Sequence, residues 1–271
     1  MPSVSIPGRE LYAERRGGGE PLLLIQGLAG HHAMWGEAFL TQLDPGFETI
    51  AYDHRGAGLS GPSTGSFSIA DLADDAVALL DALGLPSAHV LGISMGGMVA
   101  QELALRRPSA VRSLALGGTY AGGPGSAITD RAVFRRYLDA MRSGSVDAAL
   151  STSFEINVGE RARERPGAFR EFRLRALAAP MPRELIIEQA RATATHDTSA
   201  RLGSVSVPTV VIHGDQDLML DVSNARHIAG LMPHAQLEIL AGVGHLFWLE
   251  EPARAAAILR ENLLAAPVAS P

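Results

Sequence analysis

His89-Val90-Leu91-Gly92-Ile93-Ser94-Met95-Gly96-Gly97 is the stretch on which the reading of this chain turns. Residues 89–92 form a short apolar run, and residues 95–107 carry the apolar repeat of a helix that Pro108 stops. Between them stands Gly-x-Ser-x-Gly, on the strand-to-helix turn that pushes a serine hydroxyl out on strained backbone. Glycines on either side let neighbouring elements approach, and the helix N-terminus behind Ser94 offers positive backbone dipoles to developing negative charge. The five residues alone fit an ordinary small-residue turn equally well. The strand before and the helix after favour a nucleophile.

A serine hydroxyl is a weak nucleophile and needs a base held by a third group. With this turn, the partners follow in the order acid, then histidine. His245, in Gly242-Val243-Gly244-His245, has both the order and the loop setting expected of the base. Of the other histidines, His31, His32 and His54 are read as neighbours of the site, and His213 as a strand-end residue. Two aspartates compete in His213-Gly214-Asp215-Gln216-Asp217. Asp217 lies further into the loop and is the expected acid, whereas Asp215 beside Gly214 suits bracing the turn. Asp53 precedes the nucleophile and is set aside as a turn residue. Acyl chemistry also requires backbone N–H donors for an oxyanion. Met95 and Leu28, the latter in Gln26-Gly27-Leu28-Ala29-Gly30, are the expected pair.

Outward from the serine, the apolar runs 22–26, 47–53, 113–117 and 208–213 read as strands covered on both faces. Residues 236–240 are a weaker strand, and residues 4–13 alternate around Gly8 as an edge hairpin. Helical patterns over 68–83, 222–231 and 252–264 alternate with them, which implies an α/β fold with a mostly parallel central sheet and helices on both faces. Residues 122–200 break the rhythm with four helical stretches and no convincing strand. The expected organisation is a core of residues 1–121 and 201–271, with a helical cap over 122–200.

The composition narrows the function. At 46% hydrophobic residues the chain can fill a sizeable core, with disorder expected only over 265–271. A net charge of −6 without a basic block argues against nucleic acid. The absence of cysteine excludes disulfides, thiolate metal sites and cysteine nucleophiles. Neither a secretory signal nor an apolar run long enough for a membrane is visible, so a cytoplasmic enzyme acting on a small molecule is expected, with no metal or organic cofactor. All 23 basic residues are arginine, a pattern read as codon bias. Those of the cap, such as Arg161, Arg165, Arg170, Arg173 and Arg175, fit either solvated helix faces paired with Glu160, Glu164 and Glu171 or an attraction for anionic substrates.

Over nearly its whole length the chain resembles the α/β-hydrolase superfamily, specifically the small cofactor-free group with a helical cap. The resemblance rests on Gln26 to Gly30 with Trp35, the run Tyr52-Asp53-His54-Arg55-Gly56-Ala57-Gly58-Leu59-Ser60, the Ser94 turn, the Asp217 loop, and Gly244-His245 with Glu251-Pro252. It implies two-step acyl transfer on an ester or lactone, with Ser94, Asp217 and His245 as triad. C–C bond hydrolysis, enol-lactone hydrolysis and slow ligand reception use the same fold. Gln26 stands where histidine is usual, which resembles some methylesterases, and the glycine-rich loop of the meta-cleavage hydrolases is not matched. Serine in place of aspartate as nucleophile weighs against epoxide hydrolase and haloalkane dehalogenase chemistry. Gln26 and Trp35, with Phe134, Tyr137, Met141 and Phe154 of the cap, are the expected substrate-binding side chains.

Overall fold

The computed structural model describes residues 3–264, so the disorder expected for 265–271 lies outside the described residues. Eight strands form one sheet: β1 (Ser3–Ile6), β2 (Arg9–Gly17), β3 (Glu20–Ile25), β4 (Phe47–Tyr52), β5 (Ala88–Ile93), β6 (Val111–Gly117), β7 (Thr209–Gly214) and β8 (Gln236–Leu240). Their order is β1-β2-β4-β3-β5-β6-β7-β8. The β1–β2 and β2–β4 pairs are antiparallel and all others parallel. Leu22, Leu23, Leu24 and Ile25 of β3 are wholly buried, because a central parallel strand is covered on both faces. Each such side chain contributes about 1.5–3 kcal/mol of burial. β8 is the outer strand at the far edge, with Gln236 and Leu237 exposed, which is why its apolar signal is weak.

On one face pack α2 (Ile69–Ala82), α3 (Met95–Arg106) and α9 (Ser223–Leu231); on the other pack α1 (Glu37–Leu43) and α11 (Pro252–Leu263). Ser68 caps α2 with both bonds of a capping box, through Asp71. The seven-residue α1 is too short to show a repeat in sequence, and it forms because Phe39 and Leu43 are drawn into the core. The four-residue α10 (Phe247–Glu250) is hidden for the same reason.

Between β6 and β7 lie five helices: α4 (Arg131–Arg142), α5 (Val146–Asn157), the single turn α6 (Glu160–Arg163), α7 (Ala168–Ala176) and α8 (Arg183–Ala194). This insertion leaves and rejoins the core at one point, where Gly122 and Asp197 bridge and Thr198 N–H donates to Ala121 O at 2.8 Å. Among the described residues, no helix is long and apolar enough to cross a membrane.

The Ser94 turn depends on backbone contact between α3 and β3. A β-carbon on Gly96 would lie 2.1 Å from the carbonyl oxygen of Ile25, a clash with rigid backbone. Gly96→Ala should therefore cost about 1–3 kcal/mol or more in urea titration. Gly230, in α9 with open space around it, is the control: Gly230→Ala should stabilise by roughly 0.5–1 kcal/mol. Equal stabilities of the two variants would show that the α3–β3 approach is not tight.

Candidate active site

Ser94 stands between β5 and α3 at φ 56°, ψ −122°. It is one of two non-glycine residues with positive φ among the described residues, the other being Ala29. Such a conformation persists only where the surroundings enforce it. Ser94 N–H donates to Gly117 O at 2.9 Å, and Thr119 Oγ1 donates to Ser94 O at 2.8 Å. A β-carbon on Gly27 would come within 2.9 Å of Ser94 Cβ and 3.5 Å of its Oγ, so the 26–30 loop lies directly against the nucleophile candidate.

The histidine and the acid converge on the next residue of β6's end. A β-carbon on Gly118 would lie 3.1 Å from His245 Nδ1 and 3.6 Å from Asp217 Oδ2. The Gly117-Gly118 pair thus touches Ser94 on one side and the His245–Asp217 pair on the other. Asp217 Oδ2 is 2.6 Å from His245 Nδ1, while Asp217 Oδ1 accepts the N–H groups of Met219 at 2.8 Å and Leu220 at 2.9 Å. Asp215 takes the other role, accepting Gly242 N–H at 2.7 Å and bracing the loop before His245.

Sequence reasoning missed His213. Its Nε2 lies 2.9 Å from Leu220 O and 3.0 Å from Asp217 Oδ2, both acceptors, so that nitrogen carries the proton. The only sequence signal was its spacing, four residues before Asp217. Burial pushes the Asp217 carboxyl up, but the His245 charge and the hydrogen bonds from His213 and His245 outweigh it and hold the acid well below the usual range. With Nδ1 of His245 donating to a carboxylate, its Nε2 is left as the proton acceptor.

The oxyanion candidates are placed by the same turn. Met95 is the first residue of α3, and neither its N–H nor that of Leu28 forms a hydrogen bond among the described residues. The loop is braced from the core by the nearby histidines. His54, kept neutral by burial, donates Nε2–H to Gln26 O at 3.0 Å. Asp53 accepts His32 N–H at 2.6 Å and Leu59 N–H at 2.8 Å, beside the His32 ring.

The expected substrate-binding side chains separate. Gln26 is buried beside the loop, its Nε2 without a partner. Tyr137 and Met141 are half-buried in α4. Phe134 does not join them: it is 53% exposed on a helix that buries no residue. Trp35 is core, wholly buried against Phe39 and Trp248. Phe154 packs on Phe169 and Phe172 and lines a cleft of about 320 Å³, which none of Ser94, Asp217 and His245 borders. Six of the insertion's twelve arginines are ion-paired: Arg136 with Glu155, Arg161 with Glu251, Arg165 and Arg175 with Glu171, Arg173 with Asp147 and Arg191 with Glu188. Among the described residues Arg170 is in no ion pair, and of the three glutamates expected as partners only Glu171 serves, Glu160 and Glu164 pairing with no arginine. Among the described residues no three His, Asp or Glu side chains are grouped as metal ligands would be.

This chain belongs to the α/β-hydrolase fold family, which matches residues 20–252. A relative from Variovorax paradoxus, provisionally named carbamate hydrolase RutD, is 30% identical over 257 residues, 91% of either chain. Among solved structures, Est816, described as an N-acyl homoserine lactone degrading enzyme, is 27% identical with a TM-score of 0.79, covering 96% of this chain and 99% of its own. A thermophilic esterase from Thermogutta terrifontis is 28% identical with a TM-score of 0.82, covering 97% and 98%.

Glu250 joins the insertion to the histidine loop: its carboxylate accepts Gly159 N–H and Gly244 N–H, each at 3.0 Å. Burial pushes its pKa up to about 7 against the pull of those two donors. Because the folded-state value lies above the ordinary one, the stability Glu250 contributes is full in acid and is lost as pH rises through about 7. Measured against Glu250→Gln by urea titration, the wild-type protein should therefore lose ground between about pH 5 and pH 8. Parallel stability profiles would contradict it.

Proposed function

We propose that this α/β hydrolase cleaves a carboxylic ester or lactone through an acyl-enzyme on Ser94, with residues 1–121 and 201–271 as catalytic core and 122–200 as cap. The observation that carries the reading is the 2.6 Å contact between His245 Nδ1 and a buried Asp217 carboxylate, beside a serine held at positive φ. His245 Nε2 takes the Ser94 proton as Oγ attacks the carbonyl, and Asp217 stabilises the imidazolium that forms. The N–H groups of Leu28 and Met95 receive the oxyanion. His245 then returns the proton to the leaving alcohol, and water activated in the same way releases the acid. The similarity to an esterase and to a lactone-degrading enzyme supports this substrate class. The similarity to a relative provisionally named carbamate hydrolase favours one further acyl class, carbamates, on the same serine.

A fluorophosphonate should label the protein once, at Ser94, and Ser94→Ala should abolish labelling while lowering kcat on esters, lactones or carbamates by about 10⁴–10⁶. Labelling that maps to another serine, or substantial turnover left in the variant, would sink the assignment.

The two aspartates should part company under the same substrate. Asp217→Asn should keep the fold and lower kcat by about 10⁴, because the imidazole loses its orienting partner. Asp215→Asn should weaken the Gly242 turn, read as a lower Tm, with a far smaller effect on kcat. The opposite ranking would assign the acid to Asp215.

A further inference from the structure

The loop over residues 26–32 is held at three points. Two come from the core: His54 on Gln26 O and Asp53 on His32 N–H. The third comes from the insertion. Ala29 N–H donates to Oε1 of Gln189 in α8 at 2.9 Å, across 160 residues of sequence.

That third bond sits where the loop is most strained. Gly30 N–H donates to Gly27 O at 3.0 Å, which closes a β-turn with Leu28 and Ala29 at its centre. Ala29 occupies the third position at φ 59°, the conformation of a type II turn, where glycine is the favoured residue. A β-carbon disfavours this conformation, and flipping the Leu28–Ala29 peptide to the type I sense would relieve it. An acceptor on Ala29 N–H opposes the flip.

Gln189 is placed to supply that acceptor. It is wholly buried, and its Nε2 has no partner. Ala29 is therefore its one side-chain partner, and because an N–H can only donate, the atom facing it is the amide oxygen. Its neighbour Glu188 accepts Phe67 N–H at 3.1 Å, and Tyr120 Oη donates to Thr193 O at 2.8 Å, so α8 is seated on the core on either side.

We propose that Gln189 is a positioning residue: by accepting Ala29 N–H, its Oε1 holds the Gly27–Gly30 turn in its strained form, and with it the preceding Gly27–Leu28 peptide whose N–H, on Leu28, faces the oxyanion, so that the hole is complete only while α8 is seated. The proposal rests on the acyl-transfer reading of Ser94. It also makes the insertion part of the catalytic apparatus, since one of its helices sets one of the donors.

The test compares Gln189→Met, of similar length but with no acceptor oxygen, with Gln189→Glu, which keeps one. Hydrogen exchange over residues 26–32, Tm, kcat and KM are read on the full chain with an ester the wild type turns over. Gln189→Met should speed exchange in the loop and lower kcat by roughly 10–100-fold with KM changed less than about threefold, since only transition-state stabilisation is lost. Gln189→Glu should restore loop protection and most of kcat. Unchanged exchange in Gln189→Met overturns the proposal, as does faster exchange with kcat intact. Equal loss of kcat and Tm in both variants overturns it too, because a merely structural role would not be rescued by the acceptor. A wild-type Ser94 that no fluorophosphonate labels overturns the acyl-transfer reading by itself, whatever the exchange shows about Gln189.

Discussion

Ser94 carries a β-carbon at φ 56°, and much of the molecule is arranged to keep it there. Left to itself the turn would relax, since a positive φ costs an ordinary residue on the order of 1–2 kcal/mol. The surroundings resist through backbone contacts that only glycine permits. Gly92 meets the carbonyl of Gly96, Gly96 meets that of Ile25, and Gly27 lies against Ser94 itself. These approaches seat α3 on β3 and β5. They are also the reason the serine projects at the carboxyl ends of the parallel strands, where the loops after β3, β6, β7 and β8 meet.

Two buried aspartates serve that face in parallel ways. Asp217 collects two backbone N–H groups on Oδ1 and two histidines around Oδ2, so a charge that would be costly in a dry interior is fully compensated. Asp53 collects the His32 backbone and ring together with Leu59 N–H. The first arrangement orients the imidazole. The second braces the loop that carries Leu28. Gly58 belongs to the Asp53 arrangement, because a β-carbon there would strike the carboxylate at 2.0 Å.

The insertion engages both halves of this site. Gly159 shares Glu250 with the residue before His245, and Gln189 holds Ala29 on the opposite loop. Half of its arginines, by contrast, spend their charge on neighbouring carboxylates, several of them exposed, where each pair contributes at most about 1 kcal/mol.

The strands and longer helices, the helical nature of residues 122–200, and Ser94, Asp217 and His245 as a candidate group were legible from the chain alone, because periodicity, caps and glycine spacing are local and leave their mark in order. The short α1 and α10 were not, since seven and four residues hold no repeat and depend on what they pack against. The choice between Asp215 and Asp217 rested on loop position in the sequence, but only the fold shows one turned under the imidazole and the other tied to Gly242. Phe134 and Phe154 were chosen by size and apolarity and Trp35 by the resemblance of the segment it follows, and neither ground says which face of an element meets the site. His213 offered only its spacing from Asp217, and Glu250 and Gln189 carried no signal of their own. Each acts through a partner brought in by the folded chain, Gln189 across 160 residues, and a contact of that kind exists only once the sheet and the insertion have closed on each other.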